Sequence, residues 1–419
     1  MLKQIFSWKD VLENDNEHIR ASSFVLALYV SLIPIANGLS GLVGKVNIIN
    51  YICILYFLLT AFELFHRPEP LLRKEFCCIY LFFLYTAVSF FWNGDMELNW
   101  GVRTTFTAVL LFFFSAGRCY SAKERRLFVT AILIGAVAAI IVASANFQSV
   151  VERRLEIRVC KEIDPNFFCG DLCAALALMM TLGLDKKYHW MVVPISFIFI
   201  IFFFASSRGA MLIGLSLFTW WMGAATFKKK VYVPILALFL FAILLFILTR
   251  PMVTHLLIRG EVSKLIVNRT NPETLIEDNG AGRLQIWLEA WKCFINSSIP
   301  RKIFGNGLVS FPKAVNYVAP GHQSEYSSHN IYINALIEGG IVGFILQLAA
   351  FLQIFIYSIK KRSLFGSMTI IALALEGLFL DAQFSRSYSW AFTIAAIYEG
   401  GKSFEILRSS ISYGDCPGI

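Results

Sequence analysis

The chain is short of charge. Asp, Glu, Lys and Arg make up 16% of its 419 residues, against roughly 25% in a soluble domain. It also lacks the short signatures of familiar catalytic machinery. No HExxH, P-loop or nucleophile elbow is present, and no DxD pair of the kind that holds a metal beside a nucleotide sugar. The nine cysteines include no CxxC spacing, so they read as small packing residues, and their odd number lends no support to a disulfide framework. Cys160, Cys169 and Cys293 are the ones that would share the outer side. There is no internal repeat of fixed period and no low-complexity segment.

What the chain has instead is apolar length. Apolar residues make up 57% of it, Phe alone contributes 39, and the mean hydropathy is +0.64. These values exclude a soluble globular enzyme, a disordered chain and a disulfide scaffold. The apolar residues lie in runs near the ~20 needed to cross a bilayer as a helix. Twelve stretches are readable: 22–43, 46–65, 75–92, 100–117, 127–147, 168–184, 190–205, 209–227, 231–249, 330–358, 364–381 and 385–401. The first is expected to stay as a span, because it is long, contains Pro34 and has no small-residue cleavage pattern. The expected fold is therefore all-α, a polytopic membrane protein with about 12 transmembrane helices.

Loop charge sets the expected orientation. With the N-terminus inside, the inside segments hold twenty Lys and Arg, including Lys228–Lys230 and Lys360–Arg362, and the short outside loops hold seven. An even number of spans puts both termini in the cytoplasm. The formal charge of +9 follows from these loops and is no sign of nucleic acid. The chain then divides into spans 1–9 over 1–249, an external loop over 250–328, and spans 10–12 with a cytoplasmic tail over 329–419.

The external loop is 79 residues long, and loops of that length are functional or disordered. Leu284, Trp287, Trp291 and Phe294 recur at helical spacing, so short amphipathic helices are expected over the membrane mouth. Gly305-Asn306-Gly307 marks a tight turn.

Three features of this face carry chemistry. Arg208, in Ser206-Ser207-Arg208-Gly209, follows the seventh stretch. It reads either as a snorkelling anchor or as an anion clamp, for which the permanently charged guanidinium fork is suited. Arg283 follows Gly280-Ala281-Gly282 at the start of the expected loop helix, where a cation opposes the helix dipole. It reads as a solvated charge or as a partner for phosphate oxygen beside helix N–H groups. His329, in Ser327-Ser328-His329-Asn330, enters the tenth stretch, with Asn330, Asn334 and Glu338 at i, i+4 and i+8 below it. A neutral histidine there is suited to take a hydroxyl proton near pH 7. Gly339 and Gly343 are expected to permit close helix contact. Asp164-Pro165-Asn166 reads as a helix start, Asp171 lies one turn further on, and Glu376 and Asp381 fall in the eleventh stretch, where they mark either a proton path or local pairing. An outward-facing site with arginines and no metal cluster requires an activated donor carried by the membrane. A polyprenyl diphosphate sugar fits that requirement. The rival class is a transporter or a flippase for lipid-linked oligosaccharide, which would use Glu376 and Asp381 and show inverted repeats.

At these residues the sequence resembles the O-antigen ligase and polymerase superfamily. The ligase pattern is His, then Asn, Ser or Gln, nine residues, and Gly-x-x-Gly. Here it reads His329-Asn330, residues 331–339, and Gly340-Ile341-Val342-Gly343. Ser207-Arg208-Gly209, Gly282-Arg283 with Trp287, and Asp164-Pro165-Asn166 are similar to further family signatures. The resemblance implies a GT-C-like fold and a glycan donor on undecaprenyl diphosphate. It implies a lipid A-core or growing polysaccharide acceptor, inversion at the anomeric carbon, no cofactor and no metal, and a site facing the periplasm from the bacterial inner membrane. Arg208 and Arg283 would neutralise the diphosphate and His329 would orient or deprotonate the acceptor hydroxyl. Asn330, Asn334, Glu338, Asp164 and Asn166 would contact substrate.

Overall fold

The computed structural model describes residues 19–35, 48–66, 72–92, 100–118, 120–145, 165–182, 208–226, 283–318, 328–361 and 363–378. Among these there is no strand. The helices are α1 (Ala21–Leu32), α2 (Ile48–His66), α3 (Cys77–Ser89), α4 (Trp100–Ala116), α5 (Ala122–Ala145), α6 (Pro165–Leu182), α7 (Arg208–Thr226), α8 (Arg283–Asn296), α9 (Ile299–Phe304), α10 (Phe311–Val318), α11 (Ile331–Lys360) and α12 (Leu364–Glu376). Three of the described helical segments, Ile49–His66, Lys74–Trp92 and Ile331–Lys360, are long and apolar enough to cross a membrane. The apolar stretches 190–205, 231–249 and 385–401 lie outside the described residues, as do Asp164 and Asp381.

One apolar core joins α1 to α7 with α11 and α12, running from Val25 through Phe83, Phe112 and Leu176 to Phe351 and Leu373. At one end of the bundle the polar residues form ion pairs. Glu124 receives both Nε of Arg20, at 2.7 Å, and its Nη2, at 2.9 Å, together with the Ser23 hydroxyl at 2.7 Å. Burial alone would raise the Glu124 carboxyl, but the bonds from Arg20, Ser23 and the Ser121 amide outweigh it and hold it below the ordinary carboxylate value. Arg118 donates to Glu63 at 2.7 Å and to the Ser22 hydroxyl at 2.8 Å, and Arg73 donates to the carbonyls of Gly117 and Arg118. The Tyr357 ring packs on Phe76, just after Arg73 and Lys74, so Lys360 belongs to this same end. Arginines that read as loop charges are thus built into the bundle.

The other end departs from the expected straight tenth span. Tyr332 and Phe351 are nineteen residues apart, about 28 Å in a continuous helix, yet their ring centroids are 6.3 Å apart. The helix reverses at Gly340, where φ is 63° and ψ is −164°. A short limb, 331–339, lies back against a long limb, 341–360. The long limb alone has the length of a membrane span. The stretch 330–358 is therefore not one span. Gly339 and Gly343 bracket the reversal, and both face the Tyr85 ring of α3, so the close helix contact expected of them is made at the turn. Hydropathy missed this because the apolar run continues through the turn, with Asn334 and Glu338 too few to interrupt it.

The reversal strands carbonyls at the end of the short limb, as every helix end does. Three of them are taken up by other elements. The Ile337 carbonyl accepts the backbone N–H of Asn306 at 3.0 Å and its Nδ2 at 2.9 Å. The Glu338 carbonyl accepts the Gly307 N–H at 2.8 Å. The Gly339 carbonyl lies 2.8 Å from the Tyr85 hydroxyl, which it shares with the Phe304 carbonyl. The approach is so close that a Cβ on Gly340 would overlap the Ile303 carbonyl, and one on Gly305 would overlap the Glu338 carbonyl. Gly305 itself has φ 80°. Both positions admit only glycine.

Candidate functional site

The short limb carries the candidate histidine back down the bundle. The Ile331 N–H bonds the Gly377 carbonyl at 2.8 Å and the Tyr332 hydroxyl bonds the Ala374 carbonyl at 2.7 Å. The segment Ser328–Asn330 is therefore held against the end of α12, well below the Gly340 turn.

His329 is pinned on both sides. The Ser328 hydroxyl donates to the Asn330 carbonyl at 2.6 Å and accepts the Asn330 N–H at 3.0 Å, closing a small loop around the histidine. Within that loop His329 has φ 50°. Histidine visits the left-handed region more often than most residues, but at a cost of order 1–3 kcal/mol, and such strain clusters at functional sites. Its side chain is half-buried.

Asn330 caps the short limb. Its Oδ1 accepts the N–H groups of Tyr332 at 2.9 Å and Ile333 at 3.1 Å, and its Nδ2 lies 3.4 Å from the Leu378 carbonyl. One turn on, Asn334 is buried, and Glu338 is buried another turn on, with its Oε1 accepting the Phe311 N–H at 3.2 Å. The polar stripe of the sequence thus exists and lies inside, with Asn330 and Glu338 bonded to backbone. Glu338 also lines a cleft with Tyr85, Ser89, Leu308, Ala335 and Gly343. That cleft has about 10 Å³ of room, enough for on the order of one water and far too little for a sugar.

Arg283 is brought to His329 by α8. The Trp287 indole N–H donates to the Ser328 carbonyl at 2.8 Å. Arg283, four residues earlier, shares that face of the helix and is half-buried. Ile286, Ala290 and Cys293 fix α8 against Phe311, Val315 and Ile337. Cys293 is a free thiol there, pointing at the Ala314 carbonyl at 3.3 Å. The expected stripe of Leu284, Trp287, Trp291 and Phe294 is split: Trp287 and Phe294 pack inward, while Leu284 and Trp291 are exposed.

Arg208 opens α7. The Trp220 indole bonds the Ser367 hydroxyl at 3.1 Å and its ring packs on Phe355, and the Trp221 indole bonds the Met180 carbonyl at 2.6 Å. Arg208 lies twelve residues before Trp220, about 18 Å along the helix. Asn166 and Asp171 lie on α6, and Glu376 is buried near the end of α12. The structure thus brings His329, Asn330 and the Arg283 end of α8 together, with Asn334 and Glu338 above them.

Residues 193–348 match the family model of the O-antigen ligase. Over this stretch the chain is similar to the O-antigen ligase family. That stretch spans Arg208, Arg283, His329, Gly340 and Gly343. A comparison with curated proteins finds no match. Within the matched stretch the two motif glycines have different jobs. Gly340 makes the reversal. At Gly343 a Cβ would come within 3.1 Å of the Tyr85 ring, so this glycine lets α3 sit against the turn. Sequence reading singled out neither Tyr85 nor the bonding role of Asn306. The turn triplet Gly305-Asn306-Gly307 was the signal available for the latter, and no local pattern marks Tyr85.

Proposed function

We propose that the chain is a membrane glycosyltransferase of the O-antigen ligase or polymerase type. It has about twelve spans in a GT-C-like arrangement in the bacterial inner membrane. It transfers a glycan from undecaprenyl diphosphate to an acceptor hydroxyl, on lipid A-core or a growing surface polysaccharide, at the periplasmic face. The observation that carries this reading is His329, held at positive φ between Ser328 and Asn330 and fastened through Trp287 to the helix that begins with Arg283.

The chemistry follows from the side chains. The acceptor oxygen attacks the anomeric carbon as the bond from that carbon to the diphosphate oxygen breaks. The hydroxyl proton passes to the His329 imidazole, and the configuration inverts. The departing diphosphate gains negative charge, which Arg283 and Arg208 stabilise by charge-assisted hydrogen bonds. Asn330, Asn334 and Glu338 hold the short limb and the acceptor side, and Asp164 and Asn166 the donor side.

The test is transfer by the purified protein from a polyprenyl diphosphate oligosaccharide to candidate acceptors, in the presence of EDTA. Product in EDTA is expected, with a loss of ~10²–10⁴-fold for His329→Ala and retained donor binding. Arg208→Lys is expected to impair donor use, because it keeps charge but loses the fork. Wild-type transfer by His329→Ala overturns the base assignment. Movement of intact donor across the membrane with no new glycosidic bond replaces this reading with the flippase.

A further inference from the structure

Helix α8 has three distinct faces. Ile286, Ala290 and Cys293 are buried in the bundle. Gln285, Glu289 and Lys292 form a polar stripe at i, i+4 and i+7, with Gln285 Nε2 donating to Glu289 at 3.0 Å. Between these faces, Leu284, Leu288, Trp291 and Ile295 form a stripe at i, i+4, i+7 and i+11 and are each about half exposed. Ile299, Ile303 and Phe304 of α9 extend the exposed apolar surface. A solvated loop helix is polar across its whole outer face, whereas here the polar stripe covers only one part of it and the apolar stripe the other.

Position decides what covers the stripe. The start of α8 is tied to Ser328, beside the Ile331–Tyr332 turn that packs on Phe351. Phe351 lies eleven residues beyond Gly340, about 16 Å along the long limb. The far end of α8 leads through Ser297 and Ser298 into α9, whose Phe304 meets Tyr85 and whose following Gly305 meets the Gly340 turn. Helix α8 therefore runs down beside the spans and does not lie across their ends. At the same depth Ile345, Leu348 and Leu352 of the long limb and Leu81, Leu84 and Val88 of α3 are exposed in the same manner. Those are faces of the helices long and apolar enough to cross a membrane. Arg301 and Lys302 sit on α9, at the Gly340 end, where headgroups would meet them.

We propose that α8 and α9 form a re-entrant segment whose Leu284–Leu288–Trp291–Ile295 stripe is immersed in lipid acyl chains of the leaflet at the Gly340 end. The segment takes no part in spanning the bilayer. It forms the side wall between the histidine site and the lipid, with its polar stripe turned to water. All backbone groups at that depth must be satisfied by protein, and the capture of the Ile337, Glu338 and Gly339 carbonyls meets that demand. The inference does not depend on which reaction the site performs.

The test is photocrosslinking in the full chain, reconstituted in vesicles of phosphatidylethanolamine and phosphatidylglycerol. p-Benzoylphenylalanine is placed singly at Leu288, Trp291 and, as the polar-face comparison, Gln285, with Leu352 as the lipid-facing reference. Mass spectrometry then reads phospholipid adducts. Positions 288 and 291 are expected to give adducts within about twofold of 352, and position 285 at least several-fold fewer. All these side chains are exposed, so the substitutions need no repacking, and the two stripe positions report independently of one another. Absence of lipid adducts at 288 and 291 while 352 gives them overturns the proposal. So does crosslinking of the stripe to a second copy, or equal lipid labelling at 285.

Discussion

At the Lys360 end of the bundle, Arg118 is 2% exposed and paired at 2.7 Å with Glu63. At the Gly340 end, the groups that need partners are the carbonyls of Ile337, Glu338 and Gly339, and neutral donors from Asn306, Gly307 and Tyr85 supply them. The first end is held by charge and the second by backbone geometry. Charge pairs tolerate small movements, because Coulomb attraction falls slowly with distance. A reversed backbone with close-packed glycines tolerates almost none. His329 lies below that turn, on the short limb that hangs from it, so its position follows from the most tightly specified part of the backbone, as a constellation aimed at a reacting centre requires.

The largest expected effect breaks the charged end. Arg118→Ala leaves the part-buried Glu63 carboxylate with only its bonds from Ser22, so the loss should fall at the low end of the about 3–5 kcal/mol that removing one member of a buried pair costs. Thermal unfolding in detergent should show a strongly lowered Tm. The double variant Arg118→Met with Glu63→Leu should recover most of the loss, since it removes both charges together. If the single variant is as stable as the wild type, the ion pair is not what holds α1, α2 and the end of α4 together.

The next effect breaks the other end. Gly340→Ala puts a Cβ into the Ile303 carbonyl at a backbone conformation that L residues avoid, and should cost about 2–3 kcal/mol. Gly339→Ala, one residue earlier, meets only the Tyr85 ring at 3.5 Å and should leave the stability within about 0.5 kcal/mol of wild type. Equal destabilisation by the two would mean that small size at the motif, and not the reversal, is what matters.

These pairs also show where sequence reading succeeds. Apolar length located α2 to α7 to within about five residues, and the starts of α1 and α12, since a helix in lipid must satisfy its own backbone and so must be continuous and apolar. Motif spacing located His329, Gly340 and Gly343 together. Neither could yield the reversal, because Ile331–Gly339 and Ile341–Lys360 are both apolar, and a left-handed glycine leaves no trace in hydropathy. The partners of the reversal are equally silent. Tyr85 is 254 residues from the Gly339 carbonyl it bonds. Arg20 and Arg118 were readable as topology charges, but the loop count has no means of pairing them with Glu124 and Glu63.

The smallest expected effect on stability sharpens the comparison most, because it separates holding from aiming. Trp287→Phe keeps the ring against the core and removes only the indole N–H that reaches the Ser328 carbonyl at 2.8 Å. One neutral hydrogen bond contributes about 1 kcal/mol to stability, so the Tm should fall only slightly. That bond is also the described link between α8, which carries Arg283, and the loop that presents His329. Releasing it lets the two move apart, and misplacement by about 1 Å can cost ~10²-fold in rate. The expected result is near-native stability, donor binding close to wild type, and a clear drop in single-turnover transfer. A variant at an exposed polar position such as Gln285→Ala should change neither. Rate and Tm falling in proportion, with transfer recovering as the folded fraction is restored at lower temperature, would make Trp287 a packing residue and would leave Arg283 and His329 neighbours without a common reaction.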